Sequence, residues 1–185
     1  MSEETIQSVF PELKMIKKDE LRNRVTYAWK TSTREYDIES LSAVPWLPPA
    51  QRELSLPDES LVSHVRDVTA CAVALAERLI QRRGSTISVD IDTVIAGSLI
   101  HDVSKLAEFD GMNETDIFQL LGHPYYGVHI ATRAGLGPEY SNIILSHTNR
   151  TNVEPATIEA ALVKRADEVA AAAIRWQATE DLRTA

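Results

Sequence analysis

The side chains with chemistry in this sequence are its five histidines, His64, His101, His123, His129 and His147, and the carboxylates beside them. His101 is followed at once by Asp102 inside the apolar run SLIHDVSKL, and Asp167 lies in the Ala-rich stretch VKRADEVAAA. Imidazole and carboxylate in apolar segments are costly unless they are paired or coordinated. Histidine nitrogen with carboxylate oxygen is also a donor set for divalent transition metals. Taken singly, a histidine on an apolar helix face is ordinarily a hydrogen-bonded core residue. The ordered set His64, His101, Asp102, His123, His147 and Asp167 exceeds what one tetrahedral site requires. It suits two neighbouring cations that share a carboxylate, with Asp102 as the natural bridge because adjacent His101 can hold one of them. His129 fits no ligand place and reads as a surface or supporting residue.

These groups need helices to position them. From residue 58 onward the apolar spacing is helical almost throughout. Pro57, Asp58, Glu59 and Ser60 supply start signals for a helix whose apolar face is Leu61, Val65, Val68, Ala72, Leu75 and Leu79, running to Gly84. Asp90 caps a second helix expected over 91–109, and TDIFQLL forms a short one. Pro124 opens a helix that Gly135 ends, Pro138 opens PEYSNIILSHT, and Pro155 opens the last long helix, to Thr179. TISV before Asp90 is the one segment with strand character. Before residue 58, Leu21, Val25, Ala28 and Trp29 mark one further helix. Pro45, Pro48, Pro49 and Pro57 then make an ordered connector that buries Trp46 and Leu47. The expected architecture is all-α with six or seven helices. Residues 1–57 form an arm and connector, and residues 58–185 the main helical domain.

Composition narrows the function classes. The chain has 185 residues, 44% of them hydrophobic and 25% charged, as in ordinary globular proteins. Nineteen basic against 27 acidic residues leave a net charge of -8, which gives no general attraction for nucleic-acid duplexes or anionic membranes. A phosphate compound would need a local cationic site. No apolar stretch approaches the roughly 20 residues of a membrane span, the start MSEETIQSVF lacks a secretory layout, and a lone cysteine, Cys71, fits a reducing cytoplasm. A cytoplasmic location is therefore expected.

The ordered motifs resemble the HD (His-Asp) superfamily of metal-dependent phosphohydrolases. SLVSHVRDVTACAVALAE is similar to its first histidine helix, AGSLIHDVSKLAEF to its HD-x-x-K signature and LGHPYYGVHIA to the H-P-x-x-G helix of members with two metals. IILSHTNRT and ALVKRADEVAA resemble the next histidine turn and the closing Ala-Asp motif, so the likeness spans roughly residues 58–175. It implies a compact HD-type helical bundle with metal at its centre. His64, His101, Asp102 and Asp167 would hold a first ion, and His123 and His147 would join Asp102 on a second. One or two divalent ions, of iron, manganese, cobalt, nickel or zinc, are implied. The chemistry implied is hydrolysis of a phosphomonoester or phosphodiester, on a nucleotide or similar small molecule. Ser104 departs from the usual HD-x-G-K. His147-Thr148 replaces a His-His pair and no GYP motif is present, which sets the HD-GYP subclass aside. The HTNR turn is more like enzymes acting on dinucleoside polyphosphates.

Asp102 and Lys105 are the expected catalytic residues. Lys105 is three residues beyond Asp102 and on the same helical face, placed to stabilise phosphoryl charge or protonate the leaving oxygen. Arg150 is a candidate substrate ligand, and Arg66 and Asp67 are candidate supports of His64. Tyr125 and Tyr126 are packing residues or pocket lining. Two other classes use the same scaffold: a diiron oxygenase of the myo-inositol oxygenase type and a non-catalytic regulatory domain. The tryptophan-bearing arm can cover its own core or that of a second copy.

Overall fold

The computed structural model describes residues 1–55 and 59–181. Eight α-helices make up most of them: α1 (Glu3–Val9), α2 (Asp19–Glu35), α3 (Pro48–Leu54), α4 (Leu61–Arg83), α5 (Ile91–Ile100), α6 (His123–Arg133), α7 (Pro138–Ser146) and α8 (Ile158–Thr179). The fold is all-α, with a single two-residue hairpin, β1 (Phe109–Asp110) and β2 (Asn113–Glu114), among the described residues. That hairpin turns through Gly111 at positive φ. TISV, the one segment with strand character, is irregular chain, and no strand among the described residues pairs with it.

α5 is the central helix. Asp90 caps it by accepting from the Asp92 and Thr93 amides, and Val94 to Ile100 are all buried. α2, α4, α7 and α8 pack around it. At Gly97 an added Cβ would lie 2.5 Å from Ile143 Cδ1, so any larger residue there would have to displace the Ile143 side chain of α7. In α4, Ser60 caps the first turn, and Leu61, Val65, Val68, Ala72 and Ala76 form the buried stripe. The Pro57-Asp58 part of the expected start signal, and with it the expected domain boundary, lies outside the described residues. Leu75 is 41% exposed rather than core. A heptad repeat drifts about 20° per repeat on an α-helix, so two repeats carry Leu75 about 40° off the line of Leu61, and Ala76 is buried beside it. α8 starts later than Pro155, because Thr157 caps it by accepting from Ala160 N.

The arm covers its own core. Ile6, Phe10, Leu13 and Ile16 are fully buried in the same apolar cluster as α4, α5 and α7. Phe10 packs at 4.8 Å against Trp29 of α2. The Asp92 carboxylate accepts from the Lys17 and Lys18 amides, tying the arm to the first turn of α5. The connector is partly helical: α3 begins at Pro48, where a missing amide costs nothing in a first turn. Pro45 bridges Ser60, and Trp46 N donates to Glu59 O at 3.0 Å, so Trp46 is held beside the start of α4. Among the described residues no helix is long and apolar enough to cross a membrane.

α5 ends at Ile100, nine residues earlier than its apolar pattern implies. Side chains occupy the carbonyls that would continue the ladder. His101 Nδ1 donates to Ser98 O at 2.6 Å, and Trp29 Nε1 donates to Leu99 O at 2.9 Å. Ser32 Oγ donates to Val103 O at 2.8 Å. The chain tightens into i→i−3 bonds, Val103 N to Ile100 O and Lys105 N to Asp102 O, and a 3₁₀ turn follows at Lys105–Ala107. Consecutive residues on a regular helix point in different directions. The tightened turn lets His101 and Asp102 aim at one centre.

Candidate metal centre

Two helices, the start of a third and the turns just past two more bring the expected groups together. His64 comes from α4, His101 and Asp102 from the turn after α5, His123 from the first residue of α6, His147 from just past α7, and Asp167 from α8. Asp102 sits in the middle. Its Oδ2 lies 3.3 Å from His101 Nε2 and 3.5 Å from His64 Nε2. Its Oδ1 lies 3.3 Å from His123 Nε2 and 3.4 Å from His147 Nε2. Two donor sets therefore share one carboxylate: His64, His101 and Asp102, and Asp102, His123 and His147, each with ligand atoms within 4.8 Å of one another. Asp167 Oδ1 adjoins the first set, 3.0 Å from His64 Nε2 and 3.9 Å from His101 Nε2.

The hydrogen bonds fix which nitrogens are free. Ser98 O, Ile144 O and the Glu108 carboxylate accept from Nδ1 of His101 (2.6 Å), His147 (2.7 Å) and His123 (3.0 Å). Each Nδ1 must carry the proton, which in a neutral ring leaves a lone pair on Nε2. Those lone pairs all point at Asp102, and His123 Nε2 faces His147 Nε2 at 3.3 Å. Both Asp102 oxygens, both His64 ring nitrogens and His101 Nε2 are buried without an aligned hydrogen bond, the short His64–Asp167 contact and the Lys105–Asp102 Oδ2 ion pair at 2.8 Å both being out of alignment for one. Buried acceptors facing acceptors are unfavourable unless something positive lies between them. The donor set fits a divalent metal of the nitrogen- and oxygen-binding class.

Electrostatics favour neutral rings at His123 and His64 and charged carboxylates at Asp102 and Asp167, with His101 the exception. Burial drives the His123 pKa down to about 4 against the opposing pull of Glu108, so the ring is neutral at pH 7. Burial also lowers His64. Burial pulls His101 down as well, but adjacent Asp102 outweighs it and raises its pKa. Asp102 is held well below the carboxylate range because Lys105 and His101 overcome the burial that would raise it. Asp167 is likewise lowered, burial being outweighed by His64 and the other imidazoles.

A cavity of about 280 Å³ opens onto this cluster, lined among others by His123, His147, Asp167, Lys105, Arg150 and Trp46. Lys105 Nζ lies 2.8 Å from Asp102 Oδ2, as the spacing implied, although a turn rather than an α-helix delivers it.

The HD domain family matches residues 61–172, more than half of the sequence. The chain belongs to the HD-domain family. HD domains are generally metal-dependent hydrolases and bind divalent metals. Ribonuclease Y of Treponema denticola is 27% identical over 114 residues, which are 62% of this chain and 19% of that protein, so the chain spans about a fifth of the relative's length. No solved structure matches this HD domain chain.

Several expectations change with the geometry. Arg66 and Asp67 face solvent, and Arg66 pairs with Glu12 of the arm at 2.8 Å instead of orienting His64. His129 is exposed against the Tyr126 ring. Tyr125 is exposed, and Tyr126 donates to Glu35, so neither lines the cavity. Arg150 lines the cavity with its guanidinium on Glu108, 2.7 Å away. Cys71 is half-buried and packs against the core.

Three contributors escaped the sequence reading. Glu108 is fully buried and accepts from His123 N, His123 Nδ1 and Arg150. It is an acid embedded in an apolar run, the same signal that marked Asp102. Trp46 lies with its ring 5.2 Å from that of His64 and 5.7 Å from Lys105 Nζ, and nothing in a proline-rich connector announces such a contact. Ser104, a departure from the family glycine, donates from Oγ to His123 O at 2.6 Å. It anchors the start of α6 where Gly127 allows close approach, an added Cβ there being 3.0 Å from the same Oγ.

Proposed function

We propose that this chain hydrolyses a phosphate ester of a nucleotide or similar small molecule by metal-activated water, at a centre of one or two divalent ions. The observation that carries the reading is the position of Asp102: each of its oxygens faces the Nε2 atoms of two histidines at 3.3–3.5 Å. His64, His101, Asp102 and Asp167 would hold one ion, and Asp102, His123 and His147 a second. When bound, such ions lower the pKa of water toward about 7 and offset phosphoryl charge. The chain's own residues do the rest. Glu108, Ser98 O and Ile144 O hold the rings in the ligating tautomer. Lys105, 93% buried on the cavity wall, brings an ammonium to the phosphoryl group and can protonate the departing ester oxygen. Trp46 and Leu47 from the connector close one side and exclude water.

Metal content of protein purified without chelator, followed by a phosphate-ester panel with and without oxygen, tests the reading. Turnover without oxygen that is lost on chelation and restored by metal supports it. Oxygen-dependent turnover, or no turnover with any ester, refutes it. Asp102→Ala is expected to abolish metal retention and turnover together. Lys105→Ala is expected to keep the metal and slow hydrolysis by about 10²-fold or more; a wild-type rate in that variant removes Lys105 from the mechanism.

A further inference from the structure

Three cations line the cavity, Lys105, Arg150 and Arg175, and they are not equivalent. Lys105 is paired with Asp102 at 2.8 Å and Arg150 with Glu108 at 2.7 Å. Arg175 is half-buried, and no carboxylate among the described residues pairs with it. Of the two acids on the lining, Asp167 sits against His64 at 3.0 Å and Glu168 bonds Arg165 at 2.6 Å. Arg175 stands on α8 two turns beyond Asp167, about 12 Å along the axis at 1.5 Å per residue. Helical side chains lean toward the N-terminus, and Arg175 lines the same cavity as Asp167 and Lys105. Ala171, Trp46 and Leu47 share the lining with them.

An uncompensated, partly desolvated guanidinium facing a cavity whose other cations are already neutralised is a place for an anion. We infer that Arg175 is a specificity-determining residue that takes a second anionic group of the substrate, so that the site selects compounds carrying a phosphate or carboxylate beyond the phosphoryl group at the Asp102 centre. This rests on the phosphohydrolase reading and adds to it. Substrate recognition moves from Arg150, whose charge Glu108 already holds, to the far end of α8.

Calorimetric titration of the protein with its co-purified metal tests this without turnover, using orthophosphate, pyrophosphate and phosphonoacetate as probes and checking metal content before and after. The wild type is expected to bind pyrophosphate or phosphonoacetate at least 10-fold more tightly than orthophosphate. Whichever of the two is preferred names the second group as phosphate or carboxylate. Arg175→Ala is expected to lose about 10- to 100-fold in affinity for the preferred probe, the size of one charge-assisted contact, with orthophosphate unchanged and much of the preference returned by Arg175→Lys. Equal weakening of all probes in Arg175→Ala, or a preference that survives it, overturns the role of Arg175. A wild type that binds orthophosphate without preferring either doubly anionic probe overturns the inference alone. Failure of every probe to bind the wild type overturns the phosphohydrolase reading as well.

Discussion

On the proposed two-ion reading, replacing Glu108 with glutamine should flip the proton on His123 and weaken the second ion's site. Glu108 is fully buried, and its pKa is lowered because His123 and Arg150 outweigh the burial that would raise it, so it is a carboxylate that only accepts. Its oxygens take the His123 amide at 2.9 Å, His123 Nδ1–H at 3.0 Å and Arg150 at 2.7 Å. Glutamine has nearly the same shape but one acceptor oxygen. If that oxygen stays on the His123 amide and Arg150, the new NH₂ faces Nδ1, and the ring relieves the donor clash by moving its proton to Nε2. A protonated Nε2 cannot bind a metal. Loss of such a supporting contact costs about 10- to 100-fold in metal affinity. The metal-free fold should lose about 2 kcal/mol from the broken charge-assisted bonds. Titration with manganese or zinc should show the weaker phase lost while the His64–His101 phase persists, and ¹⁵N chemical shifts should report the His123 tautomer. Wild-type affinity, or equal weakening of both phases, would show that Glu108 does not act through His123.

Two further outcomes follow from the same geometry. His123 is held at about 4 by burial against an ordinary value near 6.5, so the unfolded chain takes the proton first as pH falls. Stability present above 6.5 is lost between 6.5 and 4, up to about 3 kcal/mol at about 1.4 per pH unit. His64, also lowered, adds to this loss, whereas the raised His101 contributes fully below 6.5 and does not offset it. Urea unfolding of chelator-treated protein should show the decline, and a midpoint that is flat from pH 6.5 to 4.5 refutes it. Ser104→Gly, which restores the family residue, removes the buried donor to His123 O and should destabilise the protein by about 1–2 kcal/mol, read from denaturant midpoints. Unchanged stability would mean that Ser104 does not anchor α6.

The sequence by itself determined the helical class and the identity of the converging side chains. Helical spacing, caps and prolines are local properties, so Asp90, Pro124 and Pro138 marked their helices without reference to anything distant. A histidine or acid in an apolar stretch signals its own cost wherever it lies, which is how His64, Asp102 and Asp167 stood out. Tertiary structure decided what depends on partners far away in the chain. α5 stops at Ile100 because Trp29 and Ser32, some 70 residues earlier, bond carbonyls beside His101 and Asp102. Trp46 lies beside His64 because the connector is clamped to the start of α4. Arg150 is occupied, and Arg175 left uncompensated, only because Glu108 is brought to the former and no carboxylate among the described residues to the latter. Charge pairing and carbonyl competition act through space, and a linear pattern records which groups exist but not which ones meet.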